Sequence, residues 1–243
     1  MTLLPTLNRL TLLKQFLNSA VEANTTTPGL ILVDFQDYEN NKLAYEDLRK
    51  FFPNNNWAYY FTQSIKMGDK IREVWPVLKE LNVEWVNVLN DDHYIVTKEW
   101  DKKLRAKLNG YNFVTCNDNW NTPLKAAGAT VFSMELLETL DIPIYPPGMQ
   151  HLFIDDFWET IGRATGCWDI DMSVLIEHRH ALKGQSPQDD TFRSTYGTGQ
   201  DLTKSEVWQN DQKVCHLYLK ENLSTIVNRI RELKGLFPIS YHS

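Results

Sequence analysis

The sequence contains a short run of polar residues whose types could hold a divalent cation. This run is Asn90-Asp91-Asp92-His93, and it follows the apolar segment 83–89 directly. Carboxylate oxygens suit Mg²⁺ or Mn²⁺, and one imidazole shifts the preference toward Mn²⁺. Alternate residues of an extended segment point the same way, so Asp91 and His93 could share one ion. An acidic turn in solvent, with one aspartate capping a helix, would explain the same triplet.

A second polar run, Glu177-His178-Arg179-His180, follows the apolar segment Ser173–Ile176. In an extended segment the alternation places His178 and His180 on one side and Arg179 on the other. A metal ligand or a phosphate contact from this run would complete the first cluster. A polar turn on the surface is the alternative interpretation, and two histidines beside an arginine favour the functional one.

Two adjacent carboxylates, Asp155 and Asp156, precede an apolar helical pattern. Acidic groups at a helix N-terminus are stabilised by the helix dipole. One of the pair could deprotonate an acceptor hydroxyl as a general base, and the pattern does not indicate which one. Aspartate is also a common N-cap, so we expect one of the two to cap the helix.

Two turns near the N-terminus carry groups that could contact a nucleotide. The first, Pro5-Thr6-Leu7-Asn8-Arg9, offers hydroxyl, amide and guanidinium groups, although Thr6 or Asn8 could simply cap the next helix. The second, Gly68-Asp69-Lys70, could contact a base or a phosphate. It is too short to be a P-loop.

The hydrophobic periodicity predicts that strands and helices alternate and so place these groups together. Strands are predicted at 30–33, 57–61, 83–89, 113–116 and 173–176, and helices at 10–23, 43–52, 71–81, 100–108, 133–139 and 157–166. Short connections between them indicate crossover units and a mainly parallel sheet. Ligands of such sheets bind at the carboxyl ends of the strands, where Asp34 and the 91–93 cluster lie.

The last third of the chain is less regular. Residues 183–203 are rich in polar side chains and are predicted to form a long loop, of the kind that often covers a binding site. Thr203 is the predicted cap of a final helix that reaches Lys234, with Gly235 following its end. The segment Asn222–Ser224 could divide that helix in two.

The composition is that of an ordinary globular protein. The 243 residues are 42% hydrophobic and 23% charged, and the net charge of −6 provides no global basic field for nucleic acid or anionic lipid. Cys116, Cys167 and Cys215 lack the spacing of a zinc site, so we expect reduced thiols and a cytoplasmic protein. We find no signal peptide pattern and no apolar run long enough to span a membrane.

The order of these motifs resembles the nucleotide-binding half of GT-A glycosyltransferases, and family-2-like members in particular. The resemblance covers roughly residues 1–200 and depends on the 5–9 turn, Asp34, the 68–70 turn and the Asp91-Asp92-His93 triplet. It extends to uncharacterised bacterial and phage glycosyltransferase-like proteins through Thr97, Trp100-Asp101 and the stretches at 146–148, 151–155 and 177–180. It implies a single α/β domain over 1–243 with a Rossmann-like, mixed and mainly parallel sheet flanked by helices.

The resemblance also implies a separate function for each part of the chain. Residues 1–93 would bind the nucleotide, 94–202 would form the acceptor half, and 203–235 would form a C-terminal helical segment. A nucleotide-diphosphate sugar would contact these residues: Thr6, Asn8, Arg9, Asp34, Asp69, Lys70 and Asp92. Mn²⁺ or Mg²⁺ would bind the DxD-type motif, here DxH, through Asp91 and His93, together with His178 or its rival His180.

The implied reaction transfers a sugar to an acceptor hydroxyl, with Asp156 or Asp155 as the base of an inverting mechanism. Two departures weaken the match: residues 34–37 lack the acidic-Gly-Ser turn that usually contacts the nucleotide base, and the acidic pair is Asp-Asp rather than Glu-Asp.

A retaining mechanism stays open as an alternative to the inverting one. The acceptor could be a glycan, a small molecule, a protein side chain or a modified phage DNA base. A nucleotidyltransferase, a non-catalytic nucleotide-sugar-binding protein and a structural protein are the competing interpretations.

Overall fold

The computed structural model describes residues 1–120, 125, 128–197 and 201–238, and the strands in this part of the chain belong to a single sheet. The strands are β1 (Thr2–Thr6), β2 (Gly29–Asp34), β3 (Trp57–Thr62), β4 (Trp85–Val88), β5 (His93–Ile95), β6 (Phe113–Asn117), β7 (Thr130–Ser133) and β8 (Trp168–His178). The helices are α1 (Leu10–Glu22), α2 (Phe35–Asn40), α3 (Lys42–Leu48), α4 (Met67–Glu80), α5 (Trp100–Arg105), α6 (Met134–Leu140), α7 (Ile154–Thr165), α8 (Asp190–Tyr196) and α9 (Glu206–Leu233). The sheet order is β3-β2-β1-β4-β7-β6-β8-β5.

The first half of the sheet is parallel, as the alternation of strands and helices predicts. β1 lies between β2 and β4, and β3 pairs with the outer side of β2. β1 is buried along its whole length, and β2 is buried except at Leu30, because helices cover both faces of a parallel sheet. The carboxyl ends of β1, β2 and β4 therefore meet at one edge, where Thr6, Asp34 and the Asn90–His93 segment lie.

Two short strands that the sequence does not reveal make the second half of the sheet mixed. β7 runs antiparallel between β4 and β6, and β5 runs antiparallel to β8. These strands have four and three residues, too few for a clear alternation. The β5–β8 pairing places His93 directly opposite His178, so it joins the two polar runs of the sequence.

The hydrophobic core is divided between the two faces of the sheet. Consecutive residues of one strand face opposite sides, so Leu3 belongs to one core and Leu4 to the other. The first core includes residues of α4, α6, α7 and α9, and the second includes residues of α1, α3 and α5. The three cysteines are buried free thiols.

Several helix boundaries differ from the predicted ones. The predicted helix 43–52 is α3 followed by a 3₁₀ turn at Arg49–Phe51, and α2 precedes it with Asp34 as its N-cap. The predicted loop 183–203 contains α8, capped by Asp189, while residues 198–200 lie outside the described residues.

The C-terminal helix α9 is longer and more regular than expected. It begins after Ser205, whose hydroxyl accepts a hydrogen bond from the Trp208 N–H, so Ser205 and not Thr203 is its cap. It continues through Asn222–Ser224 without a break, because its packing against α6 and α7 stabilises the weaker helix formers. Among the described helices, none is long and apolar enough to cross a membrane.

The α9 helix anchors the loop that precedes α7 through one buried carboxylate. Asp211 accepts hydrogen bonds from three consecutive backbone N–H groups, those of Gln150, His151 and Leu152, at 2.9, 2.7 and 2.7 Å. Asp211 is fully buried. Three donors satisfy most of its accepting capacity, so this contact fixes the course of the chain just before α7.

We predict that Asp211→Asn destabilises the protein, because the amide presents its own N–H groups to the backbone donors. The free energy of unfolding should fall by about 2 kcal/mol, measured by urea denaturation. Glu221→Gln is the matched control, since Glu221 is an exposed acid on the same helix. Equal stability of Asp211→Asn and Glu221→Gln would show that the Asp211 contact does not hold the loop.

Candidate functional site

Of the two adjacent acids, Asp91 is already paired inside the protein. Its Oδ2 accepts a hydrogen bond from the Thr6 hydroxyl at 2.8 Å, and its Oδ1 lies 3.2 Å from Nη1 of Arg9. Burial raises the pKa of Asp91, the Arg9 charge lowers it, and the neighbouring Asp92 raises it again. The 5–9 turn, predicted to hold a nucleotide, therefore also balances the charge of Asp91.

Arg9 connects this acid to the α8 segment. Its Nε and Nη2 donate to the two oxygens of Asp189 at 2.8 and 3.0 Å, which is the two-point geometry that guanidinium and carboxylate groups favour. The Thr191 hydroxyl donates to the Leu7 carbonyl at 2.9 Å. α8 thus lies against the N-terminal turn, 180 residues away in sequence, and closes one side of a cavity.

The neighbouring acid, Asp92, has an oxygen that no donor satisfies. Its Oδ1 is buried and forms no hydrogen bond of good geometry within the described residues, although Nε2 of His178 lies 3.4 Å away. Burial disfavours the charged carboxylate, yet contact with His178 holds the pKa of Asp92 below its usual range. Asp92 remains a carboxylate with an unused lone pair directed at an imidazole.

Asp92, His178 and His180 form a group that could hold a cation. One ligand atom from each residue lies within 4.8 Å of the others. Octahedral ligands about 2.1 Å from one Mg²⁺ ion lie about 3.0 Å apart, close to the separation of Asp92 and His178. Nδ1 of His180 accepts from the Leu182 N–H and its Nε2 lies 3.2 Å from the Tyr196 hydroxyl, so His180 must release one of these contacts to bind an ion.

The structure places His93 beside this group in a different role. Nδ1 of His93 accepts a hydrogen bond from the Asn90 backbone N–H at 3.0 Å, so the neutral ring carries its proton on Nε2. Burial, with a smaller contribution from neighbouring His178, lowers the pKa of His93 to about 3, so the ring is uncharged. In this form neither nitrogen offers a lone pair to a metal, and the ring packs edge-on against His178.

Two cavities meet at the histidines. The first, the Arg9 cavity, is bounded by the N-terminal turn, the start of α4 and α8 and contains the cations Arg9, Lys66 and Lys70. The second, the Asp155 cavity, is bounded by β7, the 151–156 segment and the indole rings of Trp120 and Trp208. Six residues line both cavities and form what we call the histidine junction: Met67, Asn90, His151, His178, His180 and Tyr196.

The predicted nucleotide-binding residues divide into two groups. Thr6, Arg9, Lys70 and Asp92 line the Arg9 cavity. Burial lowers the pKa of Lys70 to about 8, and its Nζ donates to the Thr6 carbonyl at 2.6 Å.

The remaining three predicted residues, Asn8, Asp34 and Asp69, are outside the lining of both cavities. Asp34 caps α2 by accepting from the Asp37 N–H at 3.0 Å, and Asp69 pairs with Arg72. Asn8 is exposed and has a positive φ of 54°.

Both acids of the predicted base pair line the Asp155 cavity, but their environments differ. Asp156 is exposed, whereas Asp155 is partly buried. Burial, with a smaller contribution from the Asp156 charge, raises the pKa of Asp155 to about 6. The expectation that one of them caps the helix is wrong, because Phe153 is the N-cap of α7 and forms no side-chain capping bond.

Three residues that the structure places around the cavities, Asp189, Tyr196 and His151, were not among the predicted site residues. Asp189 and Tyr196 belong to the segment predicted to be a loop, and a lone aspartate or tyrosine in such a segment carries no signal. His151 follows the rigid Pro146-Pro147-Gly148 turn and precedes the acidic pair. Its position between these two motifs is the sequence feature that could have marked it as a site residue.

The likeness to known structures concerns the fold. A Desulfovibrio desulfuricans protein assigned as a nucleotide-diphospho-sugar transferase aligns with a TM-score of 0.50 and 10% identity over 90% of this chain and 96% of that one. A mycobacterial protein gives a TM-score of 0.51 and 8% identity over 97% of this chain and 74% of that one. The galactosyltransferase LgtC, solved with donor and acceptor sugar analogues, gives 0.46 and 13% identity over 99% and 98%.

The sequence itself matches no protein-family model and no curated protein. Together with the strand order, the structural likeness to the nucleotide-diphospho-sugar transferase confirms the predicted GT-A fold, a mixed sheet flanked by helices. At identities near 10% it establishes the fold alone.

The raised pKa of Asp155 predicts a pH dependence of stability. The folded state holds this proton more tightly than the unfolded chain, so the carboxyl lowers stability as the pH rises from about 4 to about 6. Asp155→Asn removes this effect, and its stability relative to the natural protein should increase by about 2 kcal/mol between pH 4 and pH 7. Urea denaturation at both pH values measures the difference.

The exposed variant Asp141→Asn serves as the control for this pH series, because Asp141 is 81% exposed. Its stability difference from the natural protein should be the same at both pH values. A pH-independent difference for Asp155→Asn as well would contradict the raised pKa.

Proposed function

We propose that the protein is a glycosyltransferase that moves a sugar from a nucleotide-diphosphate sugar to an acceptor hydroxyl with the help of a divalent cation. One observation carries the proposal. A cavity with three cations and a cavity with a partly buried carboxylate meet at a group formed by Asp92, His178 and His180. A transferase needs this combination, because the diphosphate and the acceptor must approach one sugar from two sides.

The Arg9 cavity supports the donor end of the proposal. Its lining contains three cations, Arg9, Lys66 and Lys70, against the two carboxylates of Asp91 and Asp92, and cationic groups can donate hydrogen bonds to a diphosphate. Arg9 is already held at a fixed position by Asp91 and Asp189, so it needs little reorganisation to bind a phosphate oxygen. The N-terminal turn and α8 then enclose the nucleotide.

The ligand set that we propose for the cation is Asp92 and His178, with His180 as the third member. It differs from the set expected from the sequence, since both oxygens of Asp91 are engaged and His93 presents a proton. The unsatisfied Oδ1 of Asp92 fits a cation, as does the mixture of one carboxylate with two imidazoles, which is suited to Mn²⁺. When bound, the cation neutralises the charge that develops on the departing diphosphate.

Asp155 is the proposed general base, in preference to Asp156. A carboxylate with a pKa near 6 accepts a proton more readily than an ordinary one and is still ionised at neutral pH. Asp155 takes the proton of the acceptor hydroxyl as that oxygen bonds to the anomeric carbon. The bond between this carbon and the phosphate oxygen breaks, its electron pair stays on the diphosphate, and the anomeric configuration inverts.

The Asp155 cavity favours a glycan or a small molecule as acceptor over a modified DNA base. Its described lining contains two carboxylates and neither lysine nor arginine, whereas nucleic acid binding depends on contacts between phosphates and cations. Trp208 offers a flat apolar face on which a sugar ring can stack, whereas Trp120 already packs against Lys183 and His180. Lys125 is not part of this lining, although its positive charge lowers the pKa of Asp155 slightly.

A donor screen tests the proposed function. The protein is incubated with nucleotide-sugars of each base, with Mn²⁺, Mg²⁺ or EDTA, and released nucleoside diphosphate and pyrophosphate are measured separately. We expect diphosphate release that EDTA abolishes and that Asp92→Asn reduces at least a hundredfold. Glu177→Gln, beside the cluster but outside both cavities, should remain active. Pyrophosphate release would indicate a nucleotidyltransferase, and unchanged turnover in Asp92→Asn would contradict the cation site.

A second comparison separates the two candidate bases. Asp155→Asn should lower kcat by about 10²- to 10⁴-fold with little change in the KM of the donor, because general base catalysis acts in the transition state. Asp156→Asn should change kcat by less than about tenfold and should move the pH profile to lower pH, since it removes a charge that raises the pKa of Asp155. The reverse ranking of the two variants would assign the base to Asp156.

A further inference from the structure

The place of the transferred sugar follows from how the two cavities join, and this step rests on the proposed function. The diphosphate belongs to the Arg9 cavity and the acceptor to the Asp155 cavity, and the reacting carbon must be within reach of both. Among the described residues, the six of the histidine junction are the ones that line both cavities, so the junction is where the cavities meet. The sugar ring therefore lies at this junction during the reaction.

Two side chains at the junction have polar groups that are not used within the protein. The ring nitrogens of His151 and the side-chain amide of Asn90 form no hydrogen bond with any described residue. The others are engaged: His178 contacts Asp92, His180 contacts Tyr196, and the Met67 sulfur lies 3.5 Å from the Tyr145 hydroxyl. His151 and Asn90 are thus the available partners for a ligand at this place.

Both residues are held in position by their backbones. The N–H of His151 donates to Asp211 at 2.7 Å. The N–H of Asn90 donates to the His93 ring at 3.0 Å, and its carbonyl accepts from the His93 N–H at 3.0 Å. A side chain on a fixed backbone loses less freedom when it binds a ligand, so both can recognise a ligand selectively.

The chemistry of these groups matches hydroxyls. A neutral imidazole offers one N–H donor and one acceptor nitrogen, and a primary amide offers donors and an acceptor. A sugar hydroxyl also donates and accepts. Apart from the proposed cation ligands, the junction residues Met67, Asn90, His151 and Tyr196 have no charge to pair with a carboxylate on the sugar, which would be costly to desolvate there.

We propose that the histidine junction binds the transferred sugar as an uncharged ring, and that His151 and Asn90 select it by hydrogen-bonding its hydroxyls. The two residues determine donor specificity and do not take part in the proton transfer to Asp155. Uronic acids and other sugars with a carboxylate are rejected because no junction side chain is cationic and the charge of the proposed cation is offset by Asp92 and the diphosphate.

Calorimetric binding measurements in the presence of Mn²⁺ test the proposal with three probes: UDP, UDP-glucose and UDP-glucuronic acid. GDP and GDP-mannose are measured as well, in case the nucleotide base is guanine. The natural protein should bind the neutral nucleotide-sugar at least tenfold more tightly than the uronate. His151→Ala and Asn90→Ala should each weaken binding of the nucleotide-sugar about tenfold and leave binding of the bare diphosphate unchanged. Thermal unfolding confirms that each variant is folded.

Two further variants sharpen the result. His151→Gln keeps a donor and an acceptor and should recover part of the lost affinity. Gln150→Ala changes the adjacent residue, which lines only the Arg9 cavity, and should leave the ratio of nucleotide-sugar to diphosphate affinity unchanged.

Different failures have different meanings. Equal loss of affinity for the diphosphate and the nucleotide-sugar in His151→Ala would overturn the assignment of His151 to the sugar. Tight binding of the uronate would overturn the claim that the junction takes an uncharged ring. In both cases diphosphate binding would still support the proposed function. If the natural protein bound none of the diphosphates, the proposed function would fail, and this inference with it.

Discussion

Arg9 and Asp91 form the ion pair on which the arrangement of the site depends. Two carboxylates in adjacent positions at the end of a buried strand repel each other, and one of them must be compensated within the protein. Thr6 and Arg9 compensate Asp91, and Asp189 holds Arg9 in turn. This leaves Asp92 as the carboxylate with an unsatisfied oxygen, and it positions α8 over the N-terminal turn.

The topology of the sheet explains why the second cluster reaches the first. In a purely parallel sheet His93 and His178 would lie on separate loops, whereas the short antiparallel strand β5 pairs them residue for residue. The same mixed half of the sheet provides β7, which contributes to the wall of the Asp155 cavity. The Arg9 cavity and the Asp155 cavity thus draw on different halves of one sheet, and both reach the histidines.

Much of this could be predicted from the sequence, because local patterns determine it. The apolar runs of β1 to β4 and the polar residues at their carboxyl ends indicate the parallel half of the sheet and the edge where the candidate site lies. The roles of neighbouring residues could not be predicted in this way. Whether Asp91 or Asp92 is free depends on Thr6 and Arg9, which are 85 and 82 residues from Asp91 in sequence.

The roles of the histidines could likewise be predicted only in part from the sequence. Alternation in the 177–180 run correctly places His178 and His180 near each other, with their ring centroids 5.0 Å apart. It cannot reveal that a backbone N–H occupies Nδ1 of His93, since that bond is made only when the chain folds back at Asn90. Asp34, a nucleotide contact expected from the sequence, also caps a helix, because α2 starts immediately after it, and the sequence does not reveal this second role.

The most direct test of the central claim is a crystal structure with Mn²⁺ and a nucleoside diphosphate, with anomalous data collected at the manganese edge. We expect an anomalous peak bonded to Asp92 and His178, with the diphosphate between that ion and Arg9 and the nucleoside in the Arg9 cavity. A manganese ion bound to Asp91 and His93 would instead support the ligand set expected from the sequence. A diphosphate bound outside both cavities would contradict the account of the site.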